Sequence, residues 1–404
     1  MKKEIIFCIY FLSLNIIFCQ DNPILLQAEY HSGSIVPNYK DYPNTGLLNR
    51  LSFNLLQLNE NENQDWKIYF RHPETGIRFN IGSFGNKDLN GIELSAAPYV
   101  GFHTSQNKLK SWDFMIGLGL AYHTKYYKEN VPSSLALGSP LNMSFHIAMY
   151  KHLLIKKKWA LLAGASYLHS SNAHVQLPNF GLNSGAFSLA IRHSRKAISP
   201  FTSINFENYN IAKRKQYFFQ LTTGVGIHEI GSTASPIGGE KKLIYSTSMS
   251  AGIMWRNSFK LRTGFTYRYY DGYRDFIIEK NVSELISNVN LNSSHVHFLL
   301  GFEFLFGHFG ADIEGGLGLY RPFFKTFSQE YESYPGFAYW LKKLFPSHLS
   351  FNYYLIHPSK MPKDNIFVGT NVSANFGQAD FAEFVVGWYT KLDKSRKWKV
   401  KSGK

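Results

Sequence analysis

The segment WDFMIGLGLAYH, residues 112–123, sets Trp112, Phe114, Ile116, Leu118, Leu120 and Tyr122 at every second position, with Asp113, Gly117, Gly119, Ala121 and His123 among the residues between them. Residues two apart project from one side of an extended strand, whereas a helix would scatter this set around its axis. The pattern specifies a strand with one apolar face that carries aromatic residues at both ends. HVHFLLGFEFLFG, 295–307, repeats it, with Val296, Phe298, Leu300, Phe302, Phe304 and Phe306 against His295, His297, Gly301, Glu303 and Gly307. SFKLRTGFTYRYY, 258–270, does so again, with Phe259, Leu261, Phe265, Tyr267 and Tyr269 against Lys260, Arg262 and Arg268.

Strands of this kind need an apolar surround on one side and a polar one on the other. The chain is 16% aromatic and only 18% charged, against about a quarter charged in ordinary soluble domains. Beyond residue 20 no stretch approaches the roughly 18 apolar residues of a spanning helix. Both facts point to an all-β fold, an antiparallel transmembrane β-barrel with lipid-facing and lumen-facing residues in alternation and aromatic girdles at the two interfaces. Weaker alternation recurs near 24–32, 50–59, 66–82, 91–104, 142–154, 199–209, 215–228, 242–256, 309–320, 349–356, 365–375 and 380–390. At about ten residues per crossing, this amounts to about 12 to 16 strands, an even total being favoured. With no internal repeat or linker in view, residues 21–392 read as a single barrel domain. The long breaks at 271–294 and 321–348 read as loops or a plug.

Residues 1–20, MKKEIIFCIYFLSLNIIFCQ, have a basic start, a short apolar core and a polar exit, the pattern of a secretion signal peptide. Both cysteines, Cys8 and Cys19, lie inside it. The expected location is the bacterial outer membrane. Residues 393–404 read as a basic tail beyond the last strand. The formal charge of +15 is spread over turns and strand ends, such as Lys156, Lys157 and Lys158. Phosphorylated lipid headgroups are the expected partners, rather than nucleic acid, with simple solvated turn charge an equal alternative.

Chemistry concentrates in YLHSSNAHVQLPNFGLN, 167–183. A histidine two residues before a serine occurs four times, at His103/Ser105, His169/Ser171, His348/Ser350 and His357/Ser359. Only the second pair continues a lipid-side row, through Trp159, Leu161, Ala163, Ala165 and Tyr167. On the returning strand Asn183 shares the outward face of Phe187, Leu189 and Ile191, opposite Ser184, Ser188 and Arg192. A hairpin folded about residue 177, with Pro178 forcing the turn, sets Asn183 opposite Ser171. A serine hydroxyl becomes a nucleophile when a neighbouring base takes its proton and a third group orients that base. The expected roles are Ser171 as nucleophile, His169 as general base and Asn183 as orienting group. Asn172 is expected as oxyanion donor, with Asn179 in support. On residues alone, a simple hairpin cap accounts for the stretch equally well.

HSSN at 169–172 with PNFGLN at 178–183 resembles the outer-membrane lipid A deacylases, the acyloxyacyl hydrolase group, with looser likeness at DWKIYFRHPETGIRFNIGSFGN, 65–86, and GLGLAYHTKYY, 117–127. The resemblance covers roughly the first half of the chain. It implies a serine esterase that removes an ester-linked acyl chain from lipid A of lipopolysaccharide, without a cofactor. Two features depart from that group: Asn183 stands where it has a glutamate, and this chain is much longer. Outer-membrane phospholipase A is a second resemblance. It too follows its H-x-S-N with an asparagine, and it implies calcium and a homodimer. A non-enzymatic pore or adhesin is the alternative of a different class. His295 and His297 share an inward face and read as lumen lining ahead of a metal pair, HEIGS at 228–232 lacks a second zinc-binding histidine, and no metal is expected.

Overall fold

The computed structural model describes residues 24–59, 64–105, 107–129, 134–199, 215–235 and 238–392. The signal segment with its two cysteines, the alternation at 200–209 and the tail 393–404 lie outside them.

Among the described residues sixteen strands follow in chain order: β1 Ile24–Ile35, β2 Leu48–Leu58, β3 Glu74–Ser83, β4 Ile92–His103, β5 Trp112–His123, β6 Leu141–Lys156, β7 Trp159–Ser171, β8 Leu182–Ser194, β9 Lys215–Glu229, β10 Lys241–Trp255, β11 Phe259–Tyr270, β12 Ser294–Phe306, β13 Phe309–Tyr320, β14 Pro346–Tyr354, β15 Asp364–Asn375 and β16 Gln378–Leu392. Neighbours pair antiparallel. The single barrel expected for residues 21–392 is not what forms: β8 closes on β1, β16 closes on β9, and the chain makes two closed barrels of eight strands each.

The inward residues give the physical reason. An eight-stranded ring leaves a lumen just wide enough for side chains to fill, whereas sixteen strands enclose water. In the first barrel Arg78 of β3 pairs with Glu29 of β1 and reaches His146 of β6 at 3.0 Å, while Arg192 of β8 grips Glu74 of β3 at 2.5 Å. In the second, Arg262 of β11 is bidentate on Asp312 and bonds Glu314. Lys260 bonds Tyr354 at 2.6 Å across the lumen and Glu303 at 3.1 Å. Buried charges are tolerated when paired and hydrogen-bonded, and narrow rings bring opposite walls into reach.

Outside, the alternation holds. Along β5 the residues from Trp112 to Tyr122 that share its apolar face are exposed or half-buried, while Asp113, Met115, Gly117, Ala121 and His123 are buried. The segment 66–82 is strand only from Glu74, since a short helix, Asp65–Tyr69, precedes it. The 271–293 and 321–345 segments, expected as loops or a plug, fold into short helices at one end of the second barrel. They pack Tyr273, Ile277, Phe323, Phe324 and Phe327 against Tyr270 and Phe381.

The barrels touch at both ends. At the end away from these lids Phe70 packs on Phe306 at 4.8 Å, and Asn257 donates to Asp65 at 3.0 Å. At the lid end the β7–β8 loop of the first barrel meets the β9–β10 loop of the second.

Candidate active site

His169, Ser171 and Asn183 stand on the outer wall of the first barrel, as their parity requires. Tyr167 beside them is exposed, whereas Leu168 and Ser170 between them face the lumen. The register differs from the expected one. Asn183 pairs with His169, and Ser170 with Leu182, so Asn183 sits opposite the histidine instead of the serine. The pairing is centred on residue 176 instead of 177, and the loop between the strands contains a tight turn of its own. Val175 N–H bonds Asn172 C=O at 3.2 Å around Ala173 and His174, both with positive φ, 53° and 68°. Two turn residues with φ above zero are the geometry of the tightest hairpin turns. A two-residue slip keeps every side chain on its face, which is why parity identified the right residues with the wrong partner.

This register makes a direct contact. His169 Nδ1 lies 2.6 Å from Asn183 Oδ1, which also accepts the Tyr167 hydroxyl at 2.9 Å. An oxygen that accepts from both requires a proton on Nδ1, leaving the lone pair on Nε2. Ser171 is buried under the loop, 9% exposed. Its hydroxyl donates to Asn179 Oδ1 at 3.2 Å, accepts from Asn179 Nδ2 at 2.9 Å and accepts from Ala173 N–H at 3.2 Å. No hydrogen bond joins His169 to Ser171. The site is held as two pairs, histidine with Asn183 and serine with Asn179.

Asn172 anchors the loop. Its Nδ2 donates to Gln176 C=O at 2.7 Å and to Ser139 Oγ at 3.1 Å, so this carboxamide is engaged within the loop rather than offered to an oxyanion. Its backbone N–H bonds Asn179 Oδ1 at 3.2 Å. Gly181 has φ +79°, and a Cβ there would stand 2.5 Å from His169 Cε1, so glycine is needed both for the backbone and for the ring's seat. Asn38 Nδ2, from the β1–β2 loop, bonds Gly181 C=O at 2.8 Å.

The second barrel grips the same loop. Glu229, 1% exposed, accepts the N–H groups of Leu177 at 2.9 Å and Gly239 at 2.8 Å. Asn179 N–H bonds Thr233 C=O at 2.9 Å, Glu229 N–H bonds His174 C=O at 3.3 Å, and Lys241 Nζ reaches Gln176 Oε1 at 2.9 Å. The His174 ring stacks on His228 at 5.6 Å and contacts Gly231 C=O at 3.2 Å. Burial, reinforced by His228, holds its pKa down at about 4. Asn38, Ser139, Glu229 and Thr233 carried no signal in the sequence, because each acts on the loop from a distant segment of the chain.

The other H-x-S pairs take different roles. His103 and His348 bind lumen carboxylates, Asp113 at 2.8 Å and Glu314 at 3.2 Å. His357 Nδ1 accepts the Ser359 hydroxyl at 2.6 Å and the Ser359 N–H at 3.1 Å, a local cap. His295 and His297 face the lumen, buried, with rings 5.0 Å apart. Among the described residues, two groups have ligand atoms close enough for a cation, Glu74/His103/Asp113 and Asp312/Glu314/His348. Each already holds an arginine, Arg192 or Arg262.

Residues 56–192 match the model of the lipid A 3-O-deacylase family, PagL. The match contains His169, Ser171, Asn172, Asn179 and Asn183 and stops before the second barrel. With the closed barrels and their apolar outer walls, it makes this a β-barrel protein of the bacterial outer membrane. No curated protein matches the chain. Among solved structures, the outer-membrane enzyme PagL aligns at 16% identity over 41% of this chain and 97% of its own, TM-score 0.28. The outer-membrane protein OpdK from Pseudomonas aeruginosa aligns at 8% identity over 93% and 100%, TM-score 0.21. Overlaps at these scores establish no shared overall architecture; the deacylase match rests on the sequence of the first barrel.

Proposed function

We propose that the first barrel is a serine esterase that hydrolyses an ester-linked acyl chain of lipid A, and that the second barrel supports it. The observation that carries this reading is the 2.6 Å contact between His169 Nδ1 and Asn183 Oδ1 on the membrane-facing wall, with the Ser171 hydroxyl two residues along the same face. A carboxamide oxygen on Nδ1 selects the tautomer in which Nε2 can take a proton. Ser171 Oγ turns from Asn179 toward Nε2, attacks the ester carbonyl and gives up its proton. The resulting imidazolium then protonates the departing alcohol, and water releases the acyl group by the same steps in reverse roles. Catalytic hydrogen bonds often tighten only once substrate is bound, and the present separation into two pairs is the resting arrangement. Asn183 orients the ring without a charge to stabilise the imidazolium. As Ser171 leaves it, the Asn179 Nδ2–H becomes a donor beside the developing oxyanion, as does the Ala173 N–H. No step calls for a metal or cofactor.

The test is mass spectrometry of lipid A and phospholipids from cells expressing wild type or Ser171→Ala. Loss of one acyl chain from lipid A only with Ser171 intact supports the proposal. Calcium-dependent release of fatty acid from phospholipid would replace it with a phospholipase, and identical lipids in both strains would refute an esterase.

A further inference from the structure

Between the two barrels lies a cavity of about 560 Å³, within the roughly 300–1,000 Å³ of small-ligand sites. One wall is the outer face of the first barrel, with Ile116, Leu118 and Phe145. The facing wall is the second barrel, with Ala311, Leu349 and Phe351. At the end away from the lids the lining turns more polar, with Gln64, His308 and His357 beside Trp66 as its floor.

The cavity begins beside the candidate site. Leu118 pairs with Phe145, Phe145 with His169, and His169 with Asn183, one continuous row across four strands. Directly opposed side chains in such a row have Cβ atoms about 5 Å apart, so the cavity wall starts one strand from the histidine. It then descends past Ile116, two residues and about 7 Å further along β5, toward Trp66. We infer that this cavity holds the hydrocarbon chain of the ester that Ser171 attacks, with the second barrel as one wall and the Trp66/His357 floor as a limit on chain length. The inference rests on the esterase reading. The walls are mainly apolar, and the row places the chain's carbonyl end at His169. Ordinary bilayer lipid could meet the same walls, but only a substrate chain would tie occupancy to hydrolysis.

Two measurements on the intact chain test this. In the first, Ser171→Ala in detergent micelles is photolysed with a long-chain acyl ester bearing a terminal diazirine, and adducts are mapped by mass spectrometry. Adducts on 306–311 or 349–351 are expected. Adducts confined to the first barrel's outer wall at β7 and β8, or spread over both barrels as for a diazirine phospholipid, would overturn the inference. In the second, Ala311→Phe fills the cavity from the second barrel, and hydrolysis of nitrophenyl esters from butyryl to palmitoyl is measured. A loss at palmitoyl about tenfold or more greater than the loss at butyryl, the scale of altered pocket contacts, supports the inference. Unchanged palmitoyl hydrolysis, or an equal loss at every length, counts against it. Full hydrolysis by Ser171→Ala would instead refute the esterase reading, and the adduct map reports on the cavity in either case.

Discussion

Glu229 is where removal of one side chain in the second barrel should disable chemistry in the first. Its buried carboxylate accepts two backbone N–H groups, from Leu177 at 2.9 Å and from Gly239 at 2.8 Å. A hydrogen bond to a charged group contributes roughly 1.5–3 kcal/mol, so Glu229→Ala removes an upper bound of about 3–6 kcal/mol. Water entering the gap recovers part of this, leaving about 3 kcal/mol. Against it stand Ala173 and His174, whose positive φ costs roughly 1–2 kcal/mol per residue. The turn is then held by a margin comparable to what the carboxylate supplies. At about 1.4 kcal/mol per tenfold, amide exchange at Leu177 should speed up about 100-fold. Asn179, two residues on, should lose its hold on Ser171, and kcat on a lipid A substrate should fall. Glu229→Gln, which keeps one accepting oxygen, should give an intermediate result. Hydrogen exchange read by mass spectrometry over 172–180, beside turnover, is the assay. Native protection and native kcat in Glu229→Ala would refute the argument that the second barrel positions the loop.

Asn183→Ala should lower kcat about 10–100-fold, the worth of one strong hydrogen bond, with KM little changed. Asn183→Asp should keep activity but move the acid limb of the pH–rate profile upward, because a carboxylate favours the imidazolium; steady-state kinetics across pH checks both. Gly181→Ala should lower kcat through displacement of the His169 ring, with the barrel's thermal unfolding shifted far less than turnover; equal activity would show that the ring does not need this seat. His174 titrates near 4 when folded against an ordinary 6.5, a depressed value. Its contribution to loop order is therefore complete above about pH 6.5 and is lost as pH falls toward 4, by at most about 3 kcal/mol. Exchange over 172–180, corrected for intrinsic rates, should rise through that window, and His174→Gln should flatten the rise.

Alternation between apolar and polar residues depends only on neighbours along the chain, so it was legible without a structure. It identified most of the described strands, the apolar outward side of such strands as β5, and the shared outward face of His169, Ser171 and Asn183. Alternation carries no information about which strand closes on which. The exchange of one expected barrel for two depends on pairings such as Arg192 with Glu74, 118 residues apart, and on a lumen narrow enough for them. Register was equally hidden. A slip of two keeps parity, and the strands are joined in the observed register by a loop between Ser171 and Leu182 that the other barrel grips.

What the residues determined alone was a membrane-facing row of histidine, serine and asparagine, because side-chain direction in a strand is a local property. What only tertiary structure decided was the partner of each: Asn183 for the histidine, Asn179 for the serine and Glu229 for the loop. Those contacts form where separate loops and separate barrels converge, and nothing in the spacing of residues along one strand encodes that meeting.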